Sequence, residues 1–260
     1  CSQPFWPKAI GALRHRQPDF EFLAEVYWDL EWTLQQQGFN HCSDKRLLDR
    51  LRALQAPPVR AHLQAGLDYQ DRLARFLENH DEPRAAASFA ADVHAAAAVI
   101  TYCTPGLRFF QQGQFEGHRV RVSPHLVRAP QEPVDARLAA FYARLLELLR
   151  RPVLRDGQWS LLDCHEAWDG NSSVQQFIAW QWERPGAPRL CVVVNYAPQQ
   201  GQCFVQLPWP ELAGRGWRWR DLLGDAVYER PGDDLQARGL YVDLPPWGHH
   251  VFEVQNAADE

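Results

Sequence analysis

The chain has 260 residues and no methionine. It begins at Cys1, so an upstream segment is expected to be missing, and the lack of a secretory leader carries little weight. No apolar run approaches the ~20 residues of a membrane-spanning helix. A protein without a membrane partner, in the cytoplasm, is the expectation. No long run of one charge sign occurs, and the net charge is −5. That speaks against nucleic acid as a partner, which needs a basic stripe. The six cysteines, Cys1, Cys42, Cys103, Cys164, Cys191 and Cys203, never stand as C-x-x-C. Free buried thiols in a reducing compartment are the simpler reading, and neither a metal nor a cofactor is expected. His249-His250 is no metal pair if it lies on a strand, where adjacent side chains point to opposite faces. No Gly-rich phosphate turn is present, which argues against a doubly wound nucleotide-binding sheet. No internal repeat or low-complexity stretch occurs.

What is there suffices for a core: 46% of residues are hydrophobic and eleven are Trp. Trp faces suit sugar rings, but most of these are expected to fill interiors.

Up to residue 150 the texture alternates. Helical periodicity is read over Pro4–His15, Leu30–Gln37, Asp44–Leu54, Val59–Ala74, Ala85–Tyr102 and Val134–Arg150. Short apolar strands fall between, over Phe20–Val26, Gly38–Ser43, Arg75–Asn79 and Leu107–Gln111. Alternation of this kind implies parallel strands with crossover helices. Four strands are half of an eight-stranded (β/α) barrel. From Pro152 the helical pattern stops. Seven short β-rich runs follow, over Trp159–Cys164, Gln176–Glu183, Leu190–Asn195, Gln202–Leu207, Trp217–Leu222, Leu240–Leu244 and His249–Val254, as in an antiparallel sandwich. Turns such as Pro231-Gly232-Asp233 separate them. The predicted fold is an α/β partial (β/α)8 TIM barrel over residues 1–151, followed by an all-β sandwich domain over 152–260.

Chemistry is expected where strands end in acids. Glu25 closes an apolar run before Tyr27 and Trp28. A carboxyl against apolar surface can hold a proton near neutrality, as a general acid must; a solvated strand end or an ion pair is the plain alternative. Asn79-His80-Asp81 follows the next strong strand. Asp81 could stabilise a cationic sugar ring, with His80 bonding the same ring; capping the helix after Pro83 is its alternative role. Asn79, His80, Tyr27, Trp28 and Arg84 are candidate substrate-binding residues, although a local pair with Glu82 is the simpler role for Arg84. Asp44 reads as a helix cap. Gln112, Gln114 and Glu116 open a long loop of the kind that often carries function.

These residues carry a resemblance. Phe22-Leu23-Ala24-Glu25-Val26-Tyr27-Trp28 resembles the fifth barrel strand of the α-amylase superfamily (glycoside hydrolase family 13), with its acid/base at Glu25. Phe76-Leu77-Glu78-Asn79-His80-Asp81 resembles the seventh-strand motif, ending in the transition-state-stabilising Asp, here Asp81. Thr104 to Gln114 is similar to the eighth strand and its loop, and the β-rich tail to the C-terminal sandwich. The resemblance implies a retaining glycoside hydrolase or transglycosidase acting on α-glucosidic bonds, with an α-glucan or oligosaccharide as partner. It also implies that strands one to four, with the nucleophilic Asp, lie before Cys1, so that this chain alone does not turn over. A carbohydrate-binding protein without chemistry and an interaction module carried by the sandwich are the competing readings.

Overall fold

In the computed structural model, residues 5–27, 29–125 and 128–258 are described. The first part holds α1 (Phe5–Arg14), β1 (Leu23–Ala24), α2 (Glu31–Gln36), β2 (His41–Ser43), α3 (Lys45–Arg52), α4 (Ala56–Leu63), α5 (Leu67–Gln70), β3 (Leu73–Arg75), α6 (Ala85–Ser88), α7 (Ala91–Tyr102), β4 (Leu107–Arg108), α8 (Ala136–Leu149) and α9 (Val153–Asp156). The second holds β5 (Gln158–Leu162), β6 (Cys164–Glu166), β7 (Phe177–Glu183), β8 (Arg189–Asn195), β9 (Gly201–Val205), β10 (Gly216–Asp221), β11 (Val227–Pro231), α10 (Gly232–Arg238), β12 (Leu240–Leu244) and β13 (His249–Asn256).

β1 to β4 form one sheet in sequence order, all parallel. Ala24 lies opposite Cys42, Cys42 opposite Leu73, and Ala74 opposite Leu107. Every strand therefore runs the same way, and the chain following each one emerges at a common edge. From β5 onward all pairings are antiparallel, in a six-stranded sheet ordered β11-β10-β13-β8-β7-β5 and a three-stranded sheet ordered β12-β9-β6.

Several boundaries differ from the pattern in the sequence. The run Phe20–Val26 pairs only at Leu23–Ala24, because the Phe20 amide donates to Gln17 O in a turn. Leu73 and Ala74 look like the end of a helix but are buried strand. Gly66 stands between α4 and the short α5, and apolar residues at this density fit either period. Pro57 and Pro58 sit inside the first turn of α4, where a missing amide costs no helical bond. The Ala-rich stretch is broken at Phe89–Ala90 into α6 and α7. Pro231-Gly232-Asp233 is not a plain turn but the start of α10, with Asp233 and Asp234 in a first turn that favours acids. β11 is missed altogether by the sequence pattern.

Two main cores result. One joins Leu47, Leu48 and Leu51 of α3, Ala96 to Tyr102 of α7, and Leu145 of α8 to Trp180, Trp182 and Val192 on the six-stranded sheet. The Trp180 and Trp182 indoles both donate to Cys103 O, at 3.0 and 2.7 Å, and the Tyr196 hydroxyl donates to Leu51 O at 2.8 Å. The second lies between the two antiparallel sheets, around Phe177, Trp219, Val205 and Leu235. Trp159, Trp180, Trp182, Trp209, Trp217 and Trp219 are all buried, so most of the tryptophan is core. The described cysteines are free thiols, and four of the five are buried.

Candidate active site

Glu25 directly follows β1, and Asn79-His80-Asp81 follows the extended chain beyond β3. Sequence separation is large, but the strands run parallel with only β2 between them. Their ends meet at one sheet edge. His80 Nε2 lies 3.4 Å from Asp81 Oδ2 and 3.9 Å from Glu25 Oε1. One ligand atom of each of the three residues falls within 4.8 Å of the others.

Each member is held by a neighbour. The Tyr27 hydroxyl donates to Glu25 Oε1 at 3.0 Å. Burial, joined by the Glu25 bond and charge, pushes the Tyr27 phenol up to about 12; an Asn79 hydrogen bond works the other way. Asn79 Oδ1 accepts the amides of Asp81 and Glu82, both at 2.9 Å. That Asx-type turn fixes the backbone on which Asp81 sits. Asp81 does not cap a helix. The first amide of α6, at Ala85, is taken by Glu78 Oε2 at 2.6 Å.

Glu25 is 47% exposed and lies beside a phenol rather than under apolar cover. His80 and Asp81 are also half open to solvent. The cluster is therefore accessible to a ligand without any movement of the core. The loop after β4 reaches back to it. Arg121 Nη2 lies 3.7 Å from Asp81 Oδ1, and Arg121 Nε donates to His80 O at 3.4 Å. An ion pair this exposed contributes less than about 1 kcal/mol to stability. Its consequence is a cation at the rim of the site.

Of the residues singled out by sequence, Glu25, Tyr27, Asn79, His80 and Asp81 come together. Trp28 lies outside the described residues. Arg84 is turned away: it is buried, pairs with Glu78 at 3.1 Å, and donates to Gln112 O at 2.8 Å. It does not pair with Glu82, which is held by Arg52 at 2.5 Å and Lys45 at 3.2 Å. Gln114 is buried and donates to the Tyr102 and Tyr142 hydroxyls, both at 2.8 Å, so it anchors the long loop. Asp44 caps α3 through the Leu47 amide at 3.1 Å, as expected, but also pairs with buried His62 and Arg75.

Two supports escape sequence reasoning. Glu78 is buried, and desolvation raises its carboxyl to about 7 despite the Ala85 amide and Arg84. Its signal was an acid inside an otherwise apolar strand. Arg121 had none, because its reach back depends on the loop path. Glu25, His80 and Asp81 offer donor types that suit a divalent cation. The cluster is open to solvent, and Tyr27 and Arg121 hold its two carboxylates.

No protein-family model matches the chain, and no curated protein matches it in sequence. Solved structures do. A maltogenic α-amylase, AmyB, from Thermotoga neapolitana aligns over 97% of this chain and 59% of its own, at 14% identity and a TM-score of 0.74. An α-amylase from H. orenii aligns over 96% and 56%, at 17% identity and 0.65. A debranching enzyme from Nostoc punctiforme, soaked with acarbose, aligns over 96% and 54%, at 15% identity and 0.65. The likeness shows a shared fold. The chain spans little more than half the length of these structures.

Proposed function

We propose that this chain carries the acid/base and the transition-state-stabilising carboxylate of an α-amylase-type retaining glycosidase or transglycosidase. Its substrates are α-glucosidic bonds in glucans or oligosaccharides. The observation that carries the proposal is the convergence of Glu25 and Asp81 on one imidazole from two parallel strand ends. The similar structures, an α-amylase and a maltogenic α-amylase among them, support the same substrate class.

In this reading Glu25 protonates the leaving glycosidic oxygen and later takes a proton from water. The Tyr27 hydroxyl orients it. Asp81 and His80 bond sugar hydroxyls and offset charge that builds on the ring in the transition state. Asn79 holds Asp81 in place through two amide bonds. A retaining displacement also needs a carboxylate attacking the anomeric carbon from the opposite face of the sugar. Glu25 and Asp81 meet from one sheet edge, and among the described residues no third carboxylate joins them. The four parallel strands are read as half of a barrel whose other half supplies the nucleophile. This chain then binds saccharide and does not hydrolyse it.

The test is a hydrolysis assay with maltooligosaccharides. The 260-residue chain should release no reducing sugar. Joined to a complementary four-stranded half that carries the nucleophile, it should turn over, and Glu25→Gln should abolish that. Hydrolysis by the chain alone that persists in Glu25→Gln contradicts the proposal.

A further inference from the structure

A polar cavity of about 450 Å³ opens between α2, α3 and the end of α4. None of its lining residues belongs to the Glu25 cluster. Its aromatic side is made by Trp32 and Tyr69, with ring centroids 6.2 Å apart and planes inclined at 55°. Trp32 stays 47% exposed, although the chain buries most of its tryptophan. Tyr69 is fixed by its backbone carbonyl, which accepts from the Gln35 amide at 3.2 Å.

The polar side comes from Glu31, Arg46 and Arg50. Glu31 is only 3% exposed, lines the cavity, and takes part in no ion pair among the described residues. Desolvation raises its carboxyl and the nearby Asp44 charge adds to this, while a hydrogen bond from its own backbone amide and the neighbouring His62 work the other way. Arg46 is already neutralised by Asp29. The remaining lining is close to charge balance, which disfavours an ion and favours a polyhydroxyl ligand. Inclined aromatic faces beside hydroxyl-bonding groups suit the apolar face and rim of a pyranose. The volume lies toward the low end of the ~300–1,000 Å³ of small-ligand pockets, enough for a short saccharide.

We propose that this cavity is a second saccharide-binding site, in which a neutral hexose ring packs on Trp32 and Tyr69 while Glu31 and Arg50 bond its hydroxyls. The choice of sugar rests on the α-glucan reading of the Glu25 cluster; the cavity and its lining do not.

The experiment is calorimetric titration of maltotriose into the 260-residue chain and three variants, Trp32→Ala, Arg50→Gln and Asp81→Asn. Two classes of site are expected in the unaltered chain. Trp32→Ala and Arg50→Gln should each weaken one class by about tenfold or more and spare the other. Asp81→Asn should do the reverse. If Trp32→Ala does not fold, Arg50→Gln decides, since Arg50 is polar and only partly buried. Binding unchanged in both cavity variants overturns the inference, as does a single site removed by Asp81→Asn, or no binding at all. Binding lost in the cavity variants but indifferent to Asp81→Asn upholds the second site and overturns the reading of the Glu25 cluster.

Discussion

The Tyr27 hydroxyl donates to Glu25 Oε1 across 3.0 Å, so an acid and the phenol that orients it come from the same strand extension, two residues apart. Alternation along an extended chain places residues i and i+2 on one face. This pair is local geometry put to use, whereas the approach of Glu25 to Asp81 depends on the parallel sheet.

Tyr27→Phe removes the hydroxyl that bonds half-exposed Glu25 and also Asn79. Stability should fall by no more than about 1 kcal/mol in urea denaturation. Maltotriose binding at the Glu25 cluster should weaken several-fold, because the carboxylate is then free to rotate. A stability loss on the scale of a core truncation would mark Tyr27 as structural instead.

Arg75 is fully buried and is met by Asp44 and Gln70, with His62 Nε2 at 3.0 Å from Asp44. Asp44 is held down at about 2: its burial, which alone would raise it, is outweighed by the Arg75 charge and by His62. Asp44→Ala leaves that guanidinium buried and uncompensated, and should cost about 3–5 kcal/mol in chemical denaturation. Removing Arg75 as well should cost clearly less than the sum of the single changes. The linkage is of the depressed-carboxylate kind. Its stabilisation is present above the ordinary carboxylate range near pH 4 and is lost as pH falls toward 2.

Glu78 has the opposite sign. Its folded-state value is raised to about 7 from 4.5, so the folded protein binds more protons than the unfolded chain between those values. Stability from this group is complete below about pH 4.5 and declines as pH rises through 7. Glu78→Gln should remove that slope, shifting the difference between variant and parent by up to about 3 kcal/mol across the window. Denaturation at a series of pH values reads it directly. A pH-independent difference would mean that Arg84, at 3.1 Å, keeps the carboxylate charged.

Much of this was legible from residues alone, because it rested on local chemistry. Asp44 before an amphipathic run is a cap signal, and Asn79-His80-Asp81 after an apolar run marks a chain segment that meets Glu25 at one sheet edge. The parallel order of the first four strands followed from their alternation with helices. What escaped reading was tertiary. Nothing at Leu73-Ala74 distinguishes a buried strand from a buried helix end. Arg84, a candidate for substrate or for a local pair with Glu82, instead pairs with Glu78 and lies under the loop from Gln112 to His118. The role of Arg121 depends on the path of a loop, which no spacing encodes.

That loop offers its own test. Gly113 has φ +84°, and a Cβ there would lie 2.4 Å from His118 Nδ1 and 2.6 Å from Arg84 Nη2. Gly113→Ala should destabilise by about 1 kcal/mol or more and speed amide exchange in the loop that carries Arg121. Unchanged exchange would show that Arg84 does not anchor the loop.

The central claim is that Glu25, His80 and Asp81 form one saccharide-binding and proton-delivering cluster. The most direct measurement is the His80 Cε1–H resonance during titration with maltotriose, assigned by comparison with His80→Gln. The account predicts a saturable shift in the unaltered chain that is weakened about tenfold or abolished in Asp81→Asn, with the fold intact. A His80 resonance that does not respond to maltotriose, or responds identically in Asp81→Asn, contradicts it.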